Sequence, residues 1–201
     1  MNVISNILYW ISTGLLVPVI VLLIFFFVRA ILLIGSFFGQ YMQEKKAAAA
    51  MRAGIADLTP GGLDAFAASL PARPATLAQA YAKKIIAEGA DEARVDLALN
   101  DYELAADKAL STSKVLTKMG PILGLMGTLI PMGPALVGLA AGDIASMAYN
   151  MQVAFATTVV GLVVSAIGFL TQQVRERWLS SNLAMLEYLA QVVRQSHTVK
   201  P

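Results

Sequence analysis

The chain has no cysteine and a single histidine, His197. Disulfides and thiolate metal sites are therefore excluded, and a lone histidine near the C-terminus reads as a solvated tail residue. No G-x-x-x-x-G-K-[ST] segment occurs, which removes a P-loop nucleotide engine, and Gly124-Leu-Met-Gly127 lacks the strand and the glycine spacing of a dinucleotide loop. Charge is also scarce. Only 14% of residues are charged, against about 25% in soluble domains. The scarcity is greatest over residues 119–174, which hold no Lys or Arg and a single acid, Asp143. The paired carboxylates Asp91/Glu92 and Asp101/Glu103 fall on a charged, solvated helical pattern. Nothing here points to an enzyme, a metal or a cofactor, and a net charge of +2 carries no nucleic-acid footprint.

What the chain has is apolar length. Hydrophobic residues make up 57% of it, gathered in three runs over residues 7–39, 119–141 and 147–172. Each run reaches the roughly 20 residues needed to cross a hydrocarbon core of about 30 Å. Residues 1–14 have no basic n-region, and the run behind them is too long for a secretory signal, so they read as the start of an uncleaved first span. All 15 Lys and Arg lie at Arg29, in residues 45–118 or in residues 175–200. Basic residues stay on the cytoplasmic side, which predicts an outside N-terminus, an outside turn near Ala141–Ser146 and an inside C-terminus. The aromatics in Asn6-Ile-Leu-Tyr-Trp10 suit an outer interfacial belt. Arg29, in the inner half of the first span, either snorkels to the headgroups or serves a lipid or inter-subunit contact.

The expected fold is an all-α membrane protein of three transmembrane helices with long cytoplasmic helical extensions, in the cytoplasmic (inner) membrane. Its parts are a first span over 1–41, a cytoplasmic helical domain over 42–118, the second and third spans over 119–174 and a cytoplasmic tail over 175–201. Residues 42–118 hold ten basic and ten acidic residues and no strand-like alternation. Thr59-Pro60 reads as a helix start. Pro71 and Pro74 interrupt the chain, and Gly89 closes a helix begun near Ala75. From about Asp91 a long helix runs into the second span. Trp178, Leu179, Leu183, Leu186 and Leu189 give the tail an apolar face, expected to pack on that long helix.

On a wheel of 100° per residue, Ala154, Thr158, Gly161, Ser165, Gly168 and Gln172 share one face of the third span. In the second span, Gly120, Gly124, Gly127, Pro131, Pro134 and Gly138 share a face, with Thr128 at its edge. Two readings are open. Small residues let helices approach closely in membranes, or the hydroxyls of Thr128, Thr158 and Ser165 line a polar pathway that holds no titrating group. A threonine can also satisfy itself by bonding back to its own helix. Two small faces are one more than a monomeric three-helix bundle requires, which favours a homo-oligomer.

The segments Gly120-Pro-Ile-Leu-Gly-Leu-Met-Gly-Thr128 and Ala156-Thr-Thr158-Val-Val-Gly161-Leu162 resemble, in order, the second- and third-span signatures of the MotA/TolQ/ExbB proton-channel family. The layout of spans and helical parts is similar too, and the second-span motif is closest to the TolQ/ExbB type. The resemblance implies a ring of five copies around two single-span partner helices. Each partner would carry one intramembrane aspartate that takes and releases a proton, or works with sodium. It implies Thr128, Thr158 and Ser165 along the ion pathway, and Gly124, Gly127, Pro131, Ala154 and Gly161 facing the packed helices or the partner. Membrane lipids are the remaining expected contact. The ExbB-type third span carries a glutamate at the position of Val153 here, with Gln152 and Asn150 nearby, so a relay through that side chain is not available. The expected function is the ring subunit of an ion-driven membrane motor. The alternatives are a self-contained small homo-oligomeric transporter, against which the lack of a repeat argues, and a structural membrane scaffold.

Overall fold

The structure, a computed structural model, describes residues 2–56, 58–89 and 91–198, and all regular structure among them is helical. The side chain of His197 lies outside the described residues. Five α-helices follow in order: α1 (Asn2–Ala56), α2 (Leu63–Ser69), α3 (Leu77–Ala87), α4 (Glu92–Ala140) and α5 (Ile144–Thr198), with a 3-10 turn at Pro60–Gly62. Three of them, α1, α4 and α5, are long and apolar enough to cross a membrane. With 49 residues in α4 and 55 in α5, these helices measure about 74 and 82 Å, more than twice a hydrocarbon core.

The breaks follow local chemistry. A residue before proline is pushed out of the helical region, and both Thr59 (φ −105°, ψ 161°) and Leu70 (φ −72°, ψ 135°) are extended where Pro60 and Pro71 follow. Thr59-Pro60 starts a helical segment, as its sequence suggests, with Thr59 at the N-cap position and Pro60 first in the helix. It opens the 3-10 turn, without a side-chain cap, because Gly61-Gly62 delays the helix to Leu63. The helix expected near Ala75 starts at Leu77, where the Thr76 hydroxyl accepts from Gln79 N and Gln79 Oε1 accepts from Ala75 N. That exchange is close to a capping box.

The chain divides into two compact units, Met1–Gly35 with Thr112–Gln172 and Ser36–Ser111 with Gln173–Pro201. In the first, α1 lies on α4 and α5 through Val19, Leu23 and Leu123, and through Ala30, Leu33, Leu116 and Val164. The second has its own core of Met51, Ile55, Phe66, Ile85, Val95, Tyr102, Leu186, Leu189 and Val193. There the tail of α5 packs on the start of α4, as its apolar face predicts. The Tyr102 hydroxyl donates to Leu179 O at 3.1 Å, and Arg194 pairs with Asp96. Asn182, 2% exposed, donates to Glu44 Oε2 at 3.3 Å, and the Trp178 ring stacks on Phe37 at 5.6 Å. Lys84 pairs with Asp101 at 2.7 Å, and that carboxylate holds its ammonium above the ordinary range. Half-exposed pairs of this kind contribute little to stability.

Candidate ion-pathway helix pair

The turn between α4 and α5 is set by two residues. Gly142 takes φ +76°, the left-handed region that suits glycine. Gly142 N donates to Leu139 O and Asp143 N to Gly138 O, closing α4 in a Schellman arrangement. Asp143 Oδ1 then accepts from Ser146 N at 3.0 Å and caps α5. The only acid in residues 119–174 is thereby a helix cap.

From this turn the two small-residue faces meet each other in antiparallel register. A methyl group on Gly120 would sit 2.5 Å from Gly161 O and 2.8 Å from Ser165 N, and one on Gly161 would sit 2.6 Å from Gly120 O. One on Gly127 would sit 2.5 Å from Thr157 Oγ1, and one on Gly168 2.6 Å from Thr117 N. Gly124 lies against Thr158 and Gly161 with ordinary contacts of 3.5 Å. Below them Thr171 Oγ1 reaches Ser113 Oγ at 3.3 Å, and Thr117 Oγ1 reaches Gln172 Oε1 at 3.3 Å. Because the faces cover one another within one chain, they no longer argue for a homo-oligomer, and that expectation rests on the family alone.

The prolines of α4 explain Ser165. Proline has no N–H, so Pro121 leaves the carbonyl four residues earlier, Thr117 O, without its helical donor. Ser165 Oγ donates to that oxygen at 2.9 Å, the kind of repair that lets proline sit inside a membrane helix. Ser165 was expected to line a pathway, but its donor is committed to the backbone of α4. In Ser165→Ala the carbonyl is orphaned, and we expect a loss of about 1–3 kcal/mol. Pro121→Ala restores the helical N–H, so in that background the same change is expected to be nearly neutral. Thermal melts of the four proteins of this double-mutant cycle measure the difference; equal losses in both backgrounds would refute the repair.

The other expected residues fall as follows. Gly124, Gly127, Pro131, Ala154 and Gly161 are all buried within the chain, on the α4–α5 seam in the case of the three glycines. Thr128, half-buried, donates back to Leu125 O at 2.7 Å, and Thr158, half-buried, donates back to Ala154 O at 3.1 Å. Arg29 is exposed on α1, its guanidinium 6.0 Å from the Phe25 ring centroid. At the position of the missing glutamate, Val153 is half-buried, Gln152 is exposed, and the Asn150 amide donates to Ser146 O.

The MotA/TolQ/ExbB proton channel family model matches residues 70–187, more than half of the chain. The chain belongs to this family. No curated protein and no solved structure matches it. The match takes in α3, the whole of α4 and its turn, and α5 as far as Glu187. The helix pair just described is thus the part of this MotA/TolQ/ExbB member that the family shares, whereas α1 lies outside the matched residues.

Four hydroxyl residues on the seam of this family member, Thr157, Thr171, Ser113 and Thr117, were not singled out by the wheel. Thr157 is buried and donates to both Val153 O and Ala154 O. The signal that finds it is the alternating three- and four-residue spacing of Ala154, Thr157, Gly161, Val164, Gly168 and Thr171, all buried, which is that of a coiled-coil seam.

Proposed function

We propose that this chain is the ring subunit of a membrane motor driven by an ion motive force, probed best with protons. Five copies, each with its N-terminus outside and its C-terminus inside the inner membrane, surround two helices of a single-span partner that carries an intramembrane aspartate. The observation that carries this reading is a helix pair of the proton-channel family that has hydroxyls along residues 119–174 and, besides Asp143, no acid or base there. Asp143, the one carboxylate of that stretch, is a cap at the turn. A pathway of this composition needs its titrating group from elsewhere. An ion moving down the membrane potential releases about 2.3 kcal/mol per charge per 100 mV, which would drive rotation of the ring against the partner. What the motor energises lies in the partner's extracytoplasmic part.

The close packing of the two small-residue faces favours one rival, a structural scaffold without ion flux. The test is proton uptake into vesicles holding this chain together with a single-span, aspartate-bearing protein encoded beside it. Uptake is expected only with both components, and is expected to vanish when the partner's aspartate becomes asparagine. Uptake by this chain alone supports a self-contained transporter, and silence of the complete pair supports the scaffold; either result overturns the motor.

A further inference from the structure

The second unit holds two half-buried charges of opposite sign that line one pocket and do not pair with each other. The pocket, about 450 Å³, lies between α1, α5 and the start of α3, with Gln40, Gln43, Glu44, Thr76, Arg175 and Trp178 in its wall. That volume is in the range of small-molecule sites. Gln40 Oε1 accepts from Arg175 Nη2 at 2.6 Å, and Ala109 O accepts from Arg175 Nη1 at 3.3 Å. Both acceptors are neutral, and the two bonds leave part of the five-donor guanidinium unused. Glu44 has one partner, the Asn182 amide, at 3.3 Å. Neither charge makes an ion pair among the described residues. Burial accordingly pushes the Glu44 carboxyl up, against the opposing effect of the Asn182 bond, and pushes the Arg175 guanidinium down. Glu44 and Trp178 also border a second groove that holds Lys45 and Arg52. Arg52 donates to Ser181 at 3.0 Å, and neither base pairs with Glu44.

A partly desolvated charge without a counter-ion is costly. Two of them, opposite in sign and held apart in one pocket, are complementary to a ligand that brings both missing charges. The position narrows the ligand. The apolar run of α1 ends at residue 39, and α5 carries no charge from Ile144 to Val174. Gln40 and Arg175 therefore stand where the hydrocarbon core gives way to lipid headgroups. We propose that this pocket binds the phosphoethanolamine headgroup of a membrane phospholipid, with the phosphate on Arg175 and the Gln40 amide and the ammonium on Glu44 beside the Trp178 ring. Arginine suits a phosphate because its planar fork donates to two oxygens, and an aromatic wall beside a carboxylate suits an ammonium. A phosphoglycerol headgroup has the phosphate but offers Glu44 no cation, so the site discriminates between two phospholipids of equal chain length. The proposal stands apart from the ring reading and uses residues of the second unit alone.

The test titrates the full-length protein in mild detergent with dioleoyl phosphatidylethanolamine, dioleoyl phosphatidylglycerol and soluble glycerophosphoethanolamine. Native mass spectrometry counts the bound molecules. Trp10→Phe leaves Trp178 as the only tryptophan, so its emission reports occupancy of this pocket in parallel. Phosphatidylethanolamine is expected to bind roughly tenfold tighter than phosphatidylglycerol, the effect of one charge-assisted contact. Glu44→Gln keeps the shape and is expected to erase that preference while phosphatidylglycerol binding stays unchanged. Arg175→Gln is expected to weaken both lipids, and Arg175→Lys to recover part of the loss. Displacement of the lipid by glycerophosphoethanolamine would support the headgroup as the part recognised. Binding of the soluble compound without the lipid would overturn the membrane as its source. Equal binding of the two lipids, a Glu44→Gln protein that keeps the preference, or bound lipid that leaves the Trp178 emission unchanged would each overturn the site.

Discussion

Gly161→Leu is expected to abolish the packed α4–α5 pair, and Gly161→Ala to destabilise the protein by about 3 kcal/mol, the upper end for overpacking. The reason is what stands opposite. A Cβ at Gly161 meets Gly120 O at 2.6 Å, Gly124 Cα at 2.9 Å and Gly124 N at 3.1 Å. All three are backbone atoms, so no rotamer change relieves the clash and the helices must separate. Separation then weakens every contact down the seam, including the Ser165 bond to Thr117 O. Alanine is the better helix former by about 1 kcal/mol, which works in the opposite direction and is the smaller term. Gly14 supplies the control, since nothing lies within 4 Å of its would-be Cβ. Gly14→Ala is expected to be neutral or to stabilise by up to about 1 kcal/mol. Thermal melts followed by circular dichroism in one detergent decide the matter: equal behaviour of Gly161→Ala and Gly14→Ala would show that the seam does not depend on this approach.

Much of the helix architecture is legible in the sequence because its stops are local. Pro60, Pro71 and Gly89 act through their own backbone neighbours, and the chain breaks near each. The length of α1 is less legible. The apolar run fades near residue 39, yet the helix continues to Ala56. Residues 40–53 are mostly good helix formers, and Met51 and Ile55 bury themselves in the core of the second unit. The line between the two units falls inside α1, α4 and α5, near the places where the uncharged apolar runs meet the charged segments, although no helix break marks it.

For the candidate site, the sequence supplied the faces but turned the third span by about half of one residue's 100° step. Glycine and threonine drew attention to the stripe through Thr158 and Ser165. The buried seam is centred instead between that stripe and the one through Thr157, Val164 and Thr171. The cause is the third helix of the unit. α5 lies against α4, which requires small residues, and also against α1, which accepts large ones. Val164 packs with Ala30, Leu33 and Leu116, so the buried face spreads beyond the small residues. A pattern of size alone cannot register a neighbour that prefers bulk. Ser165 shows the same limit: its partner is a backbone carbonyl freed by Pro121, visible only once the two helices are in register.

Thr157 and Thr158 are adjacent threonines for which opposite outcomes are expected. Thr157 is 7% exposed, with its hydroxyl on Val153 O and Ala154 O and its side chain against Gly127. It is closed off by α4, so Thr157→Val should lower stability by about 1 kcal/mol and leave ion flux unchanged. Thr158 is half-buried, and its hydroxyl donates to Ala154 O at 3.1 Å. That bond uses the proton and leaves the oxygen lone pairs free to accept. In the proposed motor they meet the partner's carboxyl group while it carries its proton. Thr158→Val keeps the shape and removes the acceptor. A hydrogen bond between neutral groups contributes about 0.5–1.5 kcal/mol, so the coupled step should slow by roughly two- to tenfold, at about 1.4 kcal/mol per decade. Thr158→Ser keeps an oxygen in place and should retain most of the flux. Proton uptake by vesicles containing both components reads the effect, and native mass spectrometry checks that assembly is intact. If Thr158→Val assembles and conducts like the parent, the residue is a packing threonine and the pathway does not run past it. If Thr157→Val loses the flux instead, the pathway lies inside the α4–α5 seam.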